Sequence, residues 1–256
     1  LPGITVTECA KFGRNIFKLG KNEYKSKIEV GNVYHMNSEE KTRVELNIKD
    51  LSMHTFITGS TGAGKSNAVY TLLKRLDDND INFLVVEPAK GEYKHVFGHR
   101  KDVTVLGTNP NISKVLKINP FYFPNEIHVL EHIDKLIEIF NVCWPMYAAM
   151  PAVLKDSIER AYISAGWDLN ESVNYIDNTL FPSFKDVLKQ LHLVINESEF
   201  SEEVKSNYIG ALVTRVKSLT NGINGQIFVC DEIDNSILFD TNVIIDLSRV
   251  GSSETK

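Results

Sequence analysis

The pattern of apolar and polar positions divides the chain into four stretches of different period. Residues 1–50 alternate in short pieces, as in "SKIEVGNVYHM" and "RVELNI", broken by Gly20, Gly31 and charged turns. A period of two with such breaks predicts small antiparallel strands, the remainder of a β-rich module. Residues 51–125 carry the apolar runs "HTFITG", "INFLVVEP" and "DVTVLG", with a helical-period run, "KSNAVYTLLKRL", after the first of them. Strand, loop, helix and two further strands in that order predict a parallel α/β sheet. Residues 126–222 switch to helical period in "IHVLEHIDKLIEIF", "MPAVLKDSIERAYISAG", "SFKDVLKQLHLVI" and "EVKSNYIGALVTRVKSL". At least four helices are expected there, with Pro120, Pro124, Pro145, Pro151 and Pro182 at the joints, where a missing N–H costs least. From residue 223 strand character returns in "QIFVC" and "NVIIDLS", so the helical block reads as an insertion in, or an extension of, one sheet.

Composition leaves this picture intact. With 256 residues, 43% hydrophobic and 24% charged, the chain can bury one large core or two smaller ones. Its longest apolar runs fall far short of the roughly 20 residues of a membrane-spanning helix, and the first residues lack the basic start and apolar core of a secretory signal. The absence of an initiator Met reads as a piece of a longer protein. Cys9, Cys143 and Cys230 are scattered and odd in number, which fits ordinary thiols in a reducing cytoplasm. A lone His is more often a polar surface residue or a satisfied core residue than a ligand, so a metal site made of side chains alone is not expected. A net charge of −5 excludes a surface basic overall, though a local basic groove remains compatible with it.

The segment "FITGSTGAGKSNAVYTLL" changes the picture. Gly59-x-x-x-x-Gly64-Lys65-Ser66 has the spacing of a phosphate-binding P-loop, whose backbone N–H groups wrap a nucleotide phosphate where a Cβ would block the approach. Lys65 would bridge the β- and γ-phosphates, and the Ser66 hydroxyl would complete the shell of a Mg²⁺ ion. A chance Gly-rich turn is the competing reading, and it does not explain why a strand pattern precedes the loop and a helix pattern follows it. Hydrolysis also needs an acid at a strand end. "IFVCDE" offers Asp231 and Glu232, "VIIDLS" offers Asp246, and "FLVVEPAKGEY" offers Glu87 with Glu92 beyond it. Each is equally a carboxylate marking the return of a buried strand to solvent. The run after "QIFVC" begins too soon for a crossover helix, so a hairpin is expected there.

Taken together, "HTFITGSTGAGKSNAVYTLL", "VVEPAKGEY", the helical block and "VIIDLSRVGSSETK" resemble the ATPase core of the HerA/FtsK superfamily, on its HerA-like branch. The P-loop is widespread; its combination with "PAKGEY" and "IDLSRVGSSETK" is far more specific. The resemblance implies an α/β fold: a RecA-like P-loop (ASCE) parallel sheet with an α-helical bundle insertion and part of an N-terminal β-barrel. It implies ATP binding by Gly59, Ser60, Thr61, Gly62, Ala63, Gly64, Lys65, Ser66 and Asn67, with Mg²⁺ held through Ser66, and catalytic roles for Lys65 and Glu87. The family's Walker B strand lies downstream of "IDLSRVGSSETK", which places the main catalytic glutamate outside this chain. Arg215 and Arg249 are arginine-finger candidates, with structural ion pairing as the alternative. The implied assembly is a cytoplasmic homo-hexamer acting on duplex DNA with a nuclease or another effector, antiviral defence included. The implied activity is that of an ATPase and DNA translocase, weak in this stretch alone. A nucleotide-binding ring scaffold, with hydrolysis dispensable, is the alternative function; a GTPase is disfavoured because no Asn-Lys-x-Asp string is present.

Overall fold

The computed structural model describes residues 26–230, 233–251 and 255. They fall into two compact units, one ending at Phe83 and the other beginning at Leu84. In the first, β1 (Lys27–His35) and β2 (Ser38–Asn47) pair antiparallel, standing where the barrel remnant is expected. Their two-residue turn places Met36 at φ 49° and Asn37 at φ 62°, the pair of left-handed residues whose twist matches that of the flanking strands. Ile28 and Val33 are buried residues of β1. The expected strand "HTFITG" does not form: residues 54–60 carry no regular structure, and Phe56 is 89% exposed. A strand exists only through its ladder, and no described strand bonds to this one. Helix α1 (Lys65–Asp77) follows, as its apolar period predicts, with Leu73 buried.

The second unit opens with β3 (Leu84–Glu87), then α2 (Tyr93–Phe97), β4 (Val103–Gly107) and the short β5 (Lys114–Val115). The helical block comes next: α3 (Val129–Cys143) and α4 (Met150–Ser164), a small antiparallel pair β6 (Trp167–Asp168) and β7 (Val173–Asn174), then α5 (Phe184–Glu197), α6 (Glu202–Tyr208) and α7 (Thr214–Thr220). A π-turn at Ile209–Val213 joins α6 to α7 where one unbroken helix is predicted. Two short helices, α8 (Asn224–Ile227) and α9 (Asn235–Phe239), lead into β8 (Asn242–Asp246). The last strand inserts between strands that precede the whole helical block, giving the all-parallel order β3-β8-β4-β5.

Two expectations are corrected here. "QIFVC" is not a strand: Gln226 and Ile227 finish α8, and Phe228 makes a single parallel bridge to Ile118. Nor does a hairpin follow, because Asp234 caps α9 by accepting the Ser236 N–H at 2.8 Å, and this five-residue helix turns the chain into a parallel strand. The bridge still does what the sheet requires, since Ile118 and Phe228 tie the end of the helical block to the segment that enters it.

Two apolar clusters lie among the described residues of this unit. Leu106, Leu116, Ile233 and Val243 form the core of the sheet. The larger cluster lies among the helices, with Phe121, Ile133, Leu154, Tyr162, Leu191 and Leu212 at its centre. Several of its aromatic rings meet edge to face, as Phe121 does with Phe184 at 5.0 Å, while Phe140 stacks on Trp144. His132 packs at its rim and donates from Nε2 to the Pro120 carbonyl at 3.0 Å. Burial pushes the His132 pKa below the ordinary imidazole value; the Pro120 bond opposes this and the Lys135 charge reinforces it. A histidine kept neutral by the fold contributes stability that is complete above its unfolded pKa of about 6.5 and is lost as pH falls below it. Thermal melts at pH 7.5 and 5.5 are therefore expected to show a steeper loss for the parent chain than for His132→Gln. Equal losses would remove His132 from the account.

Candidate functional site

The phosphate loop is built by local chemistry. Gly62 and Gly64 sit at φ 81° and 88°, in the left-handed region that residues with a Cβ adopt at a cost, and open space surrounds the point where each Cβ would be. Gly64 is the residue before α1, and the Ala68 N–H bonds its carbonyl at 2.9 Å to start the first turn. Gly64 has no side chain with which to cap this end, and the positive end of the helix dipole starts at the loop. Lys65 folds back over the loop, its ammonium donating to the carbonyls of Gly59 (2.8 Å) and Ser60 (2.7 Å). Gly59 leaves room for that closure: a Cβ there would stand 3.2 Å from the Ala63 side chain. A bare loop, an uncapped helix start and an ammonium centred on both are what a phosphate chain requires. Ser60, Thr61, Ala63, Ser66 and Asn67 all lie on this same turn and first helical residues, so the fit to a nucleotide rests on one contiguous segment.

In the second unit the two strand-end acids come together. Glu87 and Asp246 are register partners on β3 and β8, and both are 6% exposed. The Glu87 carboxylate accepts the backbone N–H groups of Glu92 (2.7 Å) and Tyr93 (3.1 Å), so each of its oxygens is committed to the start of α2. Burial, and after it the charges of Glu87 and Glu92, raises the Tyr93 phenol pKa. Asp246 accepts from the Lys94 ammonium at 2.5 Å and from the Ser248 N–H at 3.0 Å. Burial pushes the Asp246 pKa up, but the bonds from Lys94 and Ser248 outweigh it and hold the carboxyl below its ordinary value. Gly91, at φ 69°, carries the intervening loop against this pair; a Cβ there would lie 2.8 Å from Ser248 Oγ and 3.2 Å from Lys94 Nζ. Thus "EPAKGEYK" and "IDLS" are two halves of one structure.

Of the other acids, Asp231 and Glu232 lie outside the described residues. Arg215 sits on α7 and donates to the Pro145 carbonyl at 3.5 Å, while Arg249 follows β8 and lines a separate cleft. Sequence reasoning missed Lys94, Gly91 and Ser248. Their signal was available in the two quoted motifs, but nothing in the one-dimensional string pairs them. Among the described residues, no cluster of three or more His, Cys, Asp or Glu side chains could hold a metal, and no helix is long and apolar enough to cross a membrane.

Comparison with known proteins agrees with this construction. The chain is 34% identical over 116 residues to a probable helicase of Methanocaldococcus jannaschii, a match covering 44% of this chain and 18% of that protein. Its fold is similar to that of VirB4 from Thermoanaerobacter pseudethanolicus, with a TM-score of 0.60 at 17% identity over 90% of this chain and 60% of that one. The chain therefore spans less than a fifth of the helicase relative and less than two thirds of VirB4. The profile of the family described as "Helicase HerA, central domain" matches residues 28–256. With its P-loop, its parallel α/β sheet and a match over nearly its whole length, the chain belongs to the HerA helicase central-domain family.

Proposed function

We propose that this chain is the ATP-binding central domain of a HerA-type motor, in which binding and hydrolysis in a ring of six copies drives movement of duplex DNA or licenses a nuclease or another effector. The observation that carries this reading is the phosphate loop: left-handed Gly62 and Gly64 before an uncapped helix, with the Lys65 ammonium folded over them. Residues 59–67 bind the triphosphate, Lys65 neutralises it, and Ser66 holds the accompanying Mg²⁺. When bound, Mg²⁺-ATP supplies the phosphoanhydride whose cleavage releases energy for motion. Residues 51–125 and 223–256 form the nucleotide core in this reading, 126–222 the inserted helical bundle, and 1–50 the barrel remnant. Antiviral defence and a cytoplasmic setting are parts of the same proposal.

A second reading, a nucleotide-binding ring scaffold with hydrolysis dispensable, is favoured by one specific observation. Both oxygens of Glu87 accept backbone N–H groups, which leaves that carboxylate engaged in holding α2 and not directed at a water. Steady-state phosphate release by the full-length protein, with and without duplex DNA and against Lys65→Ala as the zero, separates the two. The motor reading expects DNA to raise turnover toward the ordinary enzyme range of about 1 s⁻¹ or more. Turnover at the Lys65→Ala level under both conditions, with ATP still bound, would leave the scaffold.

A further inference from the structure

A second polar site lies in the unit beginning at Leu84, where β4 and β8 end side by side with Gly107 and Asp246 in register. A cleft of about 520 Å³ opens there, lined by Thr108, Asn109, Asn224, Arg249 and Thr255 among others. Thr108 is 5% exposed, yet its hydroxyl makes no hydrogen bond among the described residues. No fully buried side-chain polar atom among those residues lacks a partner, so this hydroxyl has access to the cleft that Thr108 lines. Asn109 spends its side-chain oxygen on the Asn111 N–H at 3.0 Å, which leaves its NH₂ group as a donor. Arg249 is exposed and makes no ion pair among the described residues. No described Asp or Glu lines the cleft.

We infer that this cleft is a phosphate-binding site built from residues other than those of the P-loop, with Arg249 and Thr108 as its principal donors. A nearly buried hydroxyl without a partner forgoes a hydrogen bond that a ligand oxygen can supply. An unpaired guanidinium offers a planar fork matched to a tetrahedral oxyanion. The site's position, just beyond the carboxyl ends of adjacent parallel strands, is where open α/β sheets place ligands. Two sources share this chemistry: a phosphodiester of a nucleic-acid backbone, and a free phosphate or nucleotide.

The test uses the chain carrying Lys65→Ala, so that the P-loop does not contribute and failure of the P-loop reading leaves the result interpretable. Inorganic phosphate is titrated at constant ionic strength against backbone amide NMR signals, with chloride as the control. Saturable shifts are expected at Thr108, Asn109 and Val250, and Arg249→Ala should weaken phosphate binding by about tenfold or more, the worth of one charge-assisted hydrogen bond. Thr108→Val should weaken it by less, and because Arg249 is exposed, its variant keeps the test valid even if the Thr108 variant misfolds. A second arm measures binding of a labelled duplex. Weakening by Arg249→Ala in both arms assigns the site to a DNA backbone phosphate, and weakening with orthophosphate alone assigns it to a free phosphate or nucleotide. Chloride reproducing the shifts, or equal phosphate affinity with and without Arg249, overturns the inference.

Discussion

Replacing Lys94 with methionine is expected to lower the melting temperature of the chain by on the order of 10 °C. The Lys94 and Asp246 side chains are 14% and 7% exposed and meet at 2.5 Å. A buried pair of this kind adds little over well-packed apolar groups, but removing one partner strands the other charge, typically at about 3–5 kcal/mol. For a unit of this size each kcal/mol moves the melting point by about 2–4 °C. The sign with pH is fixed by the carboxylate. In the parent chain the lowered Asp246 pKa means that its contribution is present above the ordinary carboxyl value and is lost as pH falls through the folded one. In Lys94→Met the same acid is buried without its cation, so its pKa rises, and the deficit should be widest at neutral pH and narrow on acidification. Adding Asp246→Asn to Lys94→Met should recover part of the loss, because the stranded charge goes with it. Melts of the two variants at pH 7.5 and 5 check this, and a single variant that melts like the parent would show that the pair does not contribute to stability in this way.

The second large effect is on binding. Lys65→Ala should weaken ATP binding by about 10²-fold or more, since two charge-assisted contacts at roughly 1.5–3 kcal/mol each are lost and every 1.4 kcal/mol is tenfold. Folding should be nearly untouched, because the bonds that Lys65 gives up are to the Gly59 and Ser60 carbonyls on an exposed loop, where water replaces the ammonium. Equilibrium titration with a fluorescent ATP analogue, paired with a melt of the same sample, reads both outcomes. Parental affinity in a folded variant would withdraw the nucleotide assignment from this loop.

What the sequence determined by itself is local in origin. The loop from Gly59 to Ser66 is legible because glycines, lysine and the helix start act on their own backbone within eight residues, so spacing alone carries the geometry. Helices α3, α4 and α5 were legible for a similar reason: a helical period over 14 or 15 residues leaves one apolar face to bury, which supplies the large core. The short strand-like runs were not decidable in this way. "HTFITG" and "QIFVC" have strand composition, but pairing partners decide strands, and neither run gains a ladder among the described residues. Only the tertiary structure joins Glu87 and Asp246. Parallel pairing of β3 with β8 brings Asp246 to Lys94, 152 residues earlier in the chain, and forms one hydrogen-bonded cluster in which Gly91 supplies the close approach, Lys94 the charge, and two backbone amides the cap on Glu87. Two acids that look alike in the sequence are thereby given different partners, an α2 start for Glu87 and an ammonium for Asp246. That difference arises because a carboxylate's role is set by the donors around it, and those donors come from wherever the sheet order places them.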